Sequence, residues 1–120
     1  MLRKASQKVQ PMSDQITYNK LVRDSIPEII SEDGKEPITH IADSKEYEMS
    51  LLNKLREEVE EFIEEPSEEE IADILEVLDA LAKQYGFSGN SIKEAKREKA
   101  QARGAFNEKI ILEKVILKSR

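Results

Sequence analysis

The sequence predicts a mainly helical protein, a small bundle with a few short peripheral strands. Three observations carry that expectation. Between residues 51 and 85, apolar side chains recur at three- and four-residue spacing over two long stretches instead of alternating. Charged residues make up 37% of the chain, well above the globular norm of about 25%, which suits exposed helices. Aromatic residues stand at 5% with no Trp, so a chain of 120 residues builds one domain with a modest core that association could complete.

The elements follow in order. Residues 1–14 show no sustained periodicity and read as a flexible basic tail carrying Arg3, Lys4 and Lys8, leaving residues 15–120 as the domain. Ile16-Thr17-Tyr18 begins an extended segment. Asp24 or Ser25 then caps a brief helix containing Ile26, Ile29 and Ile30, with Pro27 in its first turn. Asp33-Gly34 marks a turn. Residues 37–42 read as a strand or extended connector, and His40 within them as a surface residue rather than a catalytic one.

Asp43 or Ser44 opens the first long helix, which continues to about Ile63. A turn at Glu64-Glu65-Pro66 leads to Ser67, which with Glu70 makes a capping box for a helix running to about Tyr85 and stopped by Gly86. Ser91 and Glu94 make a second box for a helix over 92–103 that stops at Gly104. Residues 110–117, rich in β-branched side chains, read as a terminal strand able to pair with the segment near Ile38–Ala42 or near Ile16–Tyr18.

Composition narrows the function classes. The formal charge is −6, and the body is more acidic than that total because residues 1–13 carry three bases and no acid. Such a body does not suit a general nucleic-acid binder; it suits a protein that concentrates divalent cations. Without cysteine there is no disulfide, thiol nucleophile or Cys-type zinc site. No apolar run is long enough to span a bilayer or form a signal-peptide core, so a soluble cytoplasmic protein without membrane partners is expected.

The chemistry concentrates in the two central helices. On the first, Leu52, Leu55, Val59, Phe62 and Ile63 define an apolar face, with Glu58 and Glu61 on one flank and Glu57 just beyond. On the second, Glu70 and Asp73 lie on one shoulder of the stripe Ile71, Ile74, Leu75, Leu78, Leu81, beside Val77. Each pair is spaced i,i+3, so an antiparallel packing of the helices surrounds one small cavity with four carboxylates. Such acids repel one another unless a cation holds them, and an all-oxygen set selects Mg²⁺ or Mn²⁺. A solvated Glu-rich surface is the competing account for any single acid, since Glu is a strong helix former. The four together, flanking two apolar faces, favour the cation. Glu76 and Asp79 repeat the spacing, but Glu76 points away from the stripe.

Lys96, Lys99 and Arg103 share a stripe with Ile92 on the following helix. They either reach phosphate oxygens or snorkel around a small core. Lys20 and Arg23 are further phosphate-binding candidates.

EEVEE at Glu57–Glu61 followed by EIAD at Glu70–Asp73 resembles the EExxE…ExxD pattern of the all-α nucleoside triphosphate pyrophosphohydrolases, the MazG-like superfamily. YNKLVRDSIPEII at Tyr18–Ile30 and KREKAQARGAFNEKIIL at Lys96–Leu112 are similar to a branch described as phosphoribosyl-ATP pyrophosphohydrolase-like. The resemblance covers residues 16–117. It implies a MazG-like helical bundle with Mg²⁺ held by Glu58, Glu61, Glu70 and Asp73, and with Glu57 orienting a ligand or the attacking water. It also implies phosphate binding by Lys96, Lys99 and Arg103, and a homodimer or higher homo-oligomer. The implied reaction cleaves the α–β phosphoanhydride of a nucleoside triphosphate to a monophosphate and pyrophosphate, in nucleotide-pool house-cleaning. Phosphoribosyl-ATP hydrolysis and a non-catalytic helical interaction module are the alternatives. The turn between the two motifs is short, and no aromatic clamp for a base is evident.

Overall fold

A computed structural model describes residues 14–119 as four helices and their connections. Most of the segment read as a basic tail lies outside these residues. The helices are α1 (Ile26–Glu32), α2 (Ser44–Glu64), α3 (Glu68–Gln84) and α4 (Gly89–Arg103). The fold is mainly α, and among the described residues no helix is long and apolar enough to cross a membrane.

Local chemistry sets the helix ends. Pro27 sits in the first turn of α1, where its missing N–H costs nothing. The Ser25 side chain makes no capping hydrogen bond there. Asp43, in extended backbone, caps α2 by accepting from the Glu46 N–H at 2.9 Å. Ser67 Oγ accepts from the Glu70 N–H at 3.1 Å and so opens α3. At the far end of α3, Gly86 adopts a left-handed φ of 76°. Its N–H reaches Lys83 O and the Phe87 N–H reaches Ala82 O, which together close the last turn. The rings of Tyr85 and Phe87 stack across this end at 5.7 Å.

α4 departs from expectation. It begins at Gly89, not Ile92, because Ser88 rather than Ser91 is the cap, accepting from the Ser91 N–H at 3.0 Å. The Ser91 backbone that was to lie outside the helix thereby becomes part of its first turn.

The expected peripheral strands are not seen among the described residues. Residues 110–117 carry no regular structure, and their six apolar side chains are between 69% and 90% exposed. Ile16, Ile38 and Ile41 are likewise exposed. β-Branched composition favours a pleated, half-buried surface, but a strand exists only where a neighbouring chain accepts its hydrogen bonds. Among the described residues none of the three extended segments has such a neighbour.

The chain divides into two compact units, one up to Val77 and one from Leu78. In the first, Leu51 (2% exposed) on α2 and Val77 (8%) on α3 are buried, together with the charged Glu58 (7%). In the second, Leu81 is buried at 7% exposure.

The caps give a direct test. Removing a capping carboxylate from an exposed helix start costs about 1 kcal/mol. Asp43→Ala is expected to lower unfolding free energy in urea by about that amount, whereas Ser25→Ala, whose hydroxyl makes no capping bond, changes it little. Equal effects of the two substitutions would contradict the assignment.

Candidate metal centre

The candidate site lies in the first unit, where α2 and the start of α3 meet across the short 65–67 connection. Leu51 and Glu58 are seven residues apart, two helical turns, so Glu58 occupies the position on α2 that continues the buried stripe. On α3, Glu70 and Asp73 precede the buried Val77 by seven and four residues and share its face. The hairpin brings one carboxylate oxygen from each of Glu58, Glu70 and Asp73 within 4.8 Å of one another. Glu58 is buried, and the other two are half-buried.

Glu61 stands outside that triad and is exposed, but its carboxylate also acts on Glu70. With the carboxylates ionised, Glu70 Oε1 is buried and has no hydrogen-bond partner. A protonated Glu70 hydrogen-bonds to Glu58 and, second, to Glu61. That hydrogen bonding, ahead of burial and charge repulsion, pushes its carboxyl up to about 8. An orphaned, buried carboxylate oxygen among acids is an unfavourable arrangement that a hard divalent cation relieves. The donor set, all carboxylate oxygen, fits Mg²⁺ or Mn²⁺.

Three cations surround these acids. Arg23 Nη2 donates to Asp73 Oδ1 at 2.7 Å. Lys20 donates to Glu57, and this hydrogen bond, with the attraction of Lys20 and Lys54, holds the Glu57 carboxyl below the usual range. Lys54 Nζ lies 3.7 Å from Glu58 and 3.8 Å from Glu57. Lys20 and Arg23 thus stand against the acidic residues rather than free in solution. Lys54 was not singled out from the sequence, although its i,i+3 and i,i+4 spacing to Glu57 and Glu58 was the available signal.

Lys96, Lys99 and Arg103 are all exposed on α4, in the second unit. Glu76 and Asp79 are exposed as well. His40 is exposed and lies 2.9 Å from the Glu46 carboxylate, away from the acidic triad's residues in sequence. Comparisons with protein-family models, with curated proteins and with solved structures return no match.

The raised Glu70 predicts an inverted pH dependence. A carboxyl with its folded pKa above the ordinary 4.5 contributes stability that is full below that value and is lost as pH rises through about 8. In protein treated with chelator, the stability of wild type relative to Glu70→Gln should therefore decline across that window, since the amide cannot ionise. Urea midpoints measured at intervals of pH would show it, and a flat difference would remove Glu70 from the strained position assigned to it.

Proposed function

We propose that the chain is a Mg²⁺-dependent, MazG-like nucleoside triphosphate pyrophosphohydrolase that cleaves the α–β phosphoanhydride and releases a monophosphate and pyrophosphate. The observation that carries the reading is the convergence of Glu58, Glu70 and Asp73 within 4.8 Å, with an orphaned oxygen of Glu70 among them. The two sequence motifs supply these residues in the order the resemblance requires.

In this reading Glu58, Glu70 and Asp73 hold Mg²⁺, with Glu61 beside Glu70 as the fourth carboxylate. The cation, when bound, supplies charge neutralisation at phosphate oxygens and polarises water. Glu57, beside Glu58 on α2, orients a ligand or the attacking water. Lys20 and Arg23 exchange their carboxylate partners for phosphate oxygens, to which a charge-assisted hydrogen bond is equally suited. The resemblance adds Lys96, Lys99 and Arg103 as phosphate-binding residues, and their shared helical stripe is its support within the chain. The work proposed is nucleotide-pool house-cleaning in the cytoplasm.

The protein is further proposed to act as a homodimer or higher homo-oligomer. What supports this is the apolar surface of the first unit, where Leu52, Val59 and Ile63 of α2 and Ile71 and Leu75 of α3 are all exposed.

Pyrophosphate release across a panel of nucleoside triphosphates and phosphoribosyl-ATP tests the reaction. Glu70→Gln should abolish turnover, because ligand charge is lost with little change of shape, while the solvent-exposed Glu76→Gln should keep most of it. An inactive wild type returns the chain to a helical interaction module, and an active Glu70→Gln beside a dead Glu76→Gln overturns the choice of ligands.

Metal binding is separable from turnover. A cation that binds only the folded state stabilises it by about 2.7 kcal/mol at 100 times its dissociation constant. Thermal melts should rise in millimolar Mg²⁺ for wild type and not for Asp73→Asn; equal shifts would exclude Asp73 as a ligand.

A further inference from the structure

Between the segment preceding α1 and one face of α2 lies a cavity of ≈ 330 Å³, at the lower end of the roughly 300–1,000 Å³ typical of small-ligand sites. One wall is a single stripe of α2, in which Ser50, Asn53, Lys54 and Glu57 recur at helical spacing. The other is formed by four consecutive residues beginning at Tyr18. In a fully extended chain their side chains would alternate between opposite sides. Asn19 breaks the alternation with a left-handed φ of 48°, which Asn tolerates better than most residues.

The lining combines an aromatic ring, neutral polar groups and charges. Tyr18, a residue 67% exposed, supplies an aromatic ring. Asn53 Oδ1 accepts from Arg56 Nη1 at 3.0 Å, so the amide NH₂ is the group it has left to offer a ligand. Ser50 adds a hydroxyl that donates or accepts. Lys20 and Lys54 complete the set at the acidic end: Lys20 bonds Glu57, and Lys54 Nζ stands 3.7 Å from Glu58 of the triad. Lys54 therefore belongs to the cavity and borders the metal-binding acids at once. A flat ring, hydrogen-bonding groups and cations line one cavity with carboxylates at its border, the kinds of group that base, sugar, phosphates and a phosphate-bound cation each require.

We propose that this cavity is the nucleoside subsite, taking the base and sugar of a nucleotide whose phosphates extend toward Lys20, Lys54 and the Glu58/Glu70/Asp73 triad. The base stacks on Tyr18 and presents a ring carbonyl to the Asn53 NH₂. The assignment rests on the pyrophosphohydrolase reading for its ligand class, but on the cavity for its place.

Calorimetry on the full chain in Mg²⁺ tests it with two probes. One is α,β-methylene UTP, which carries base and sugar; the other is inorganic tripolyphosphate, which carries neither. Tyr18→Ala and Asn53→Leu should each weaken the uracil analogue roughly tenfold or more, the range expected for losing a base–aromatic stack, and should do so selectively over tripolyphosphate. Asn53→Asp, which keeps the shape but removes the NH₂ donor, should weaken the analogue likewise. Variants that bind the analogue as wild type does overturn the subsite, as does a parallel loss of tripolyphosphate. A wild type that binds the analogue through Tyr18 and Asn53 yet releases no pyrophosphate from any nucleotide overturns the hydrolase reading and leaves the subsite standing. Normal turnover and affinity in both variants overturns the subsite alone.

Discussion

Crowded negative charge at the α2–α3 hairpin is the constraint around which the first unit is arranged. Glu58 takes a core position that an apolar side chain would fill more cheaply, since a buried charge is costly unless it is paired. Glu70 and Asp73 then approach it from the facing helix. The surrounding cations answer that charge. Arg23 reaches Asp73 across fifty residues of sequence and Lys20 reaches Glu57, so the irregular segment before α1 is tied to the helices by charge more than by packing. Both contacts are exposed, and solvent screens them. They position a chain segment better than they stabilise it.

The same arrangement explains why stability and a cation are expected to be linked. Replacing one of these acids by an amide relieves repulsion in the protein without metal and removes a ligand from the protein with metal. Opposite signs in the two conditions are the signature of a built site; a merely solvated acidic surface responds weakly in both. A proton on Glu70 is the alternative way to relieve the same strain. A cation held there would compete with that proton for one set of oxygens, so binding it would release the proton.

Much of the helical framework was legible because its signals are local. Asp43, Pro27, Ser67 and Gly86 act through backbone groups within a few residues of themselves, and each stands at the end the sequence assigns to it or within one residue of it. The start of α4 was not legible, because Ser88 and Ser91 are both competent caps and only the realised Ser88–Ser91 hydrogen bond distinguishes them. The strands failed for a different reason. Propensity at residues 110–117 describes the side chains, whereas a strand also needs a partner that no local pattern encodes. Within the site, helical periodicity placed Glu58, Glu70 and Asp73 beside apolar faces. It could not foresee that Lys20 and Arg23 would meet Glu57 and Asp73, nor that Tyr18 and Asn53 would line one cavity, since those contacts join segments remote in sequence.

The open stretch from Ile110 to Leu117 has a consequence for solubility. Backbone outside any ladder among the described residues, beside six exposed apolar side chains, is the material from which intermolecular β-assemblies grow. Here the run is divided into Ile110-Ile111-Leu112 and Val115-Ile116-Leu117 by the adjacent charges Glu113 and Lys114. Assembly-prone windows span about five to seven residues of low charge, and three uncharged residues on either side fall short of that length. Glu113 and Lys114, both outside the helices, stand where gatekeeping charges interrupt such a run.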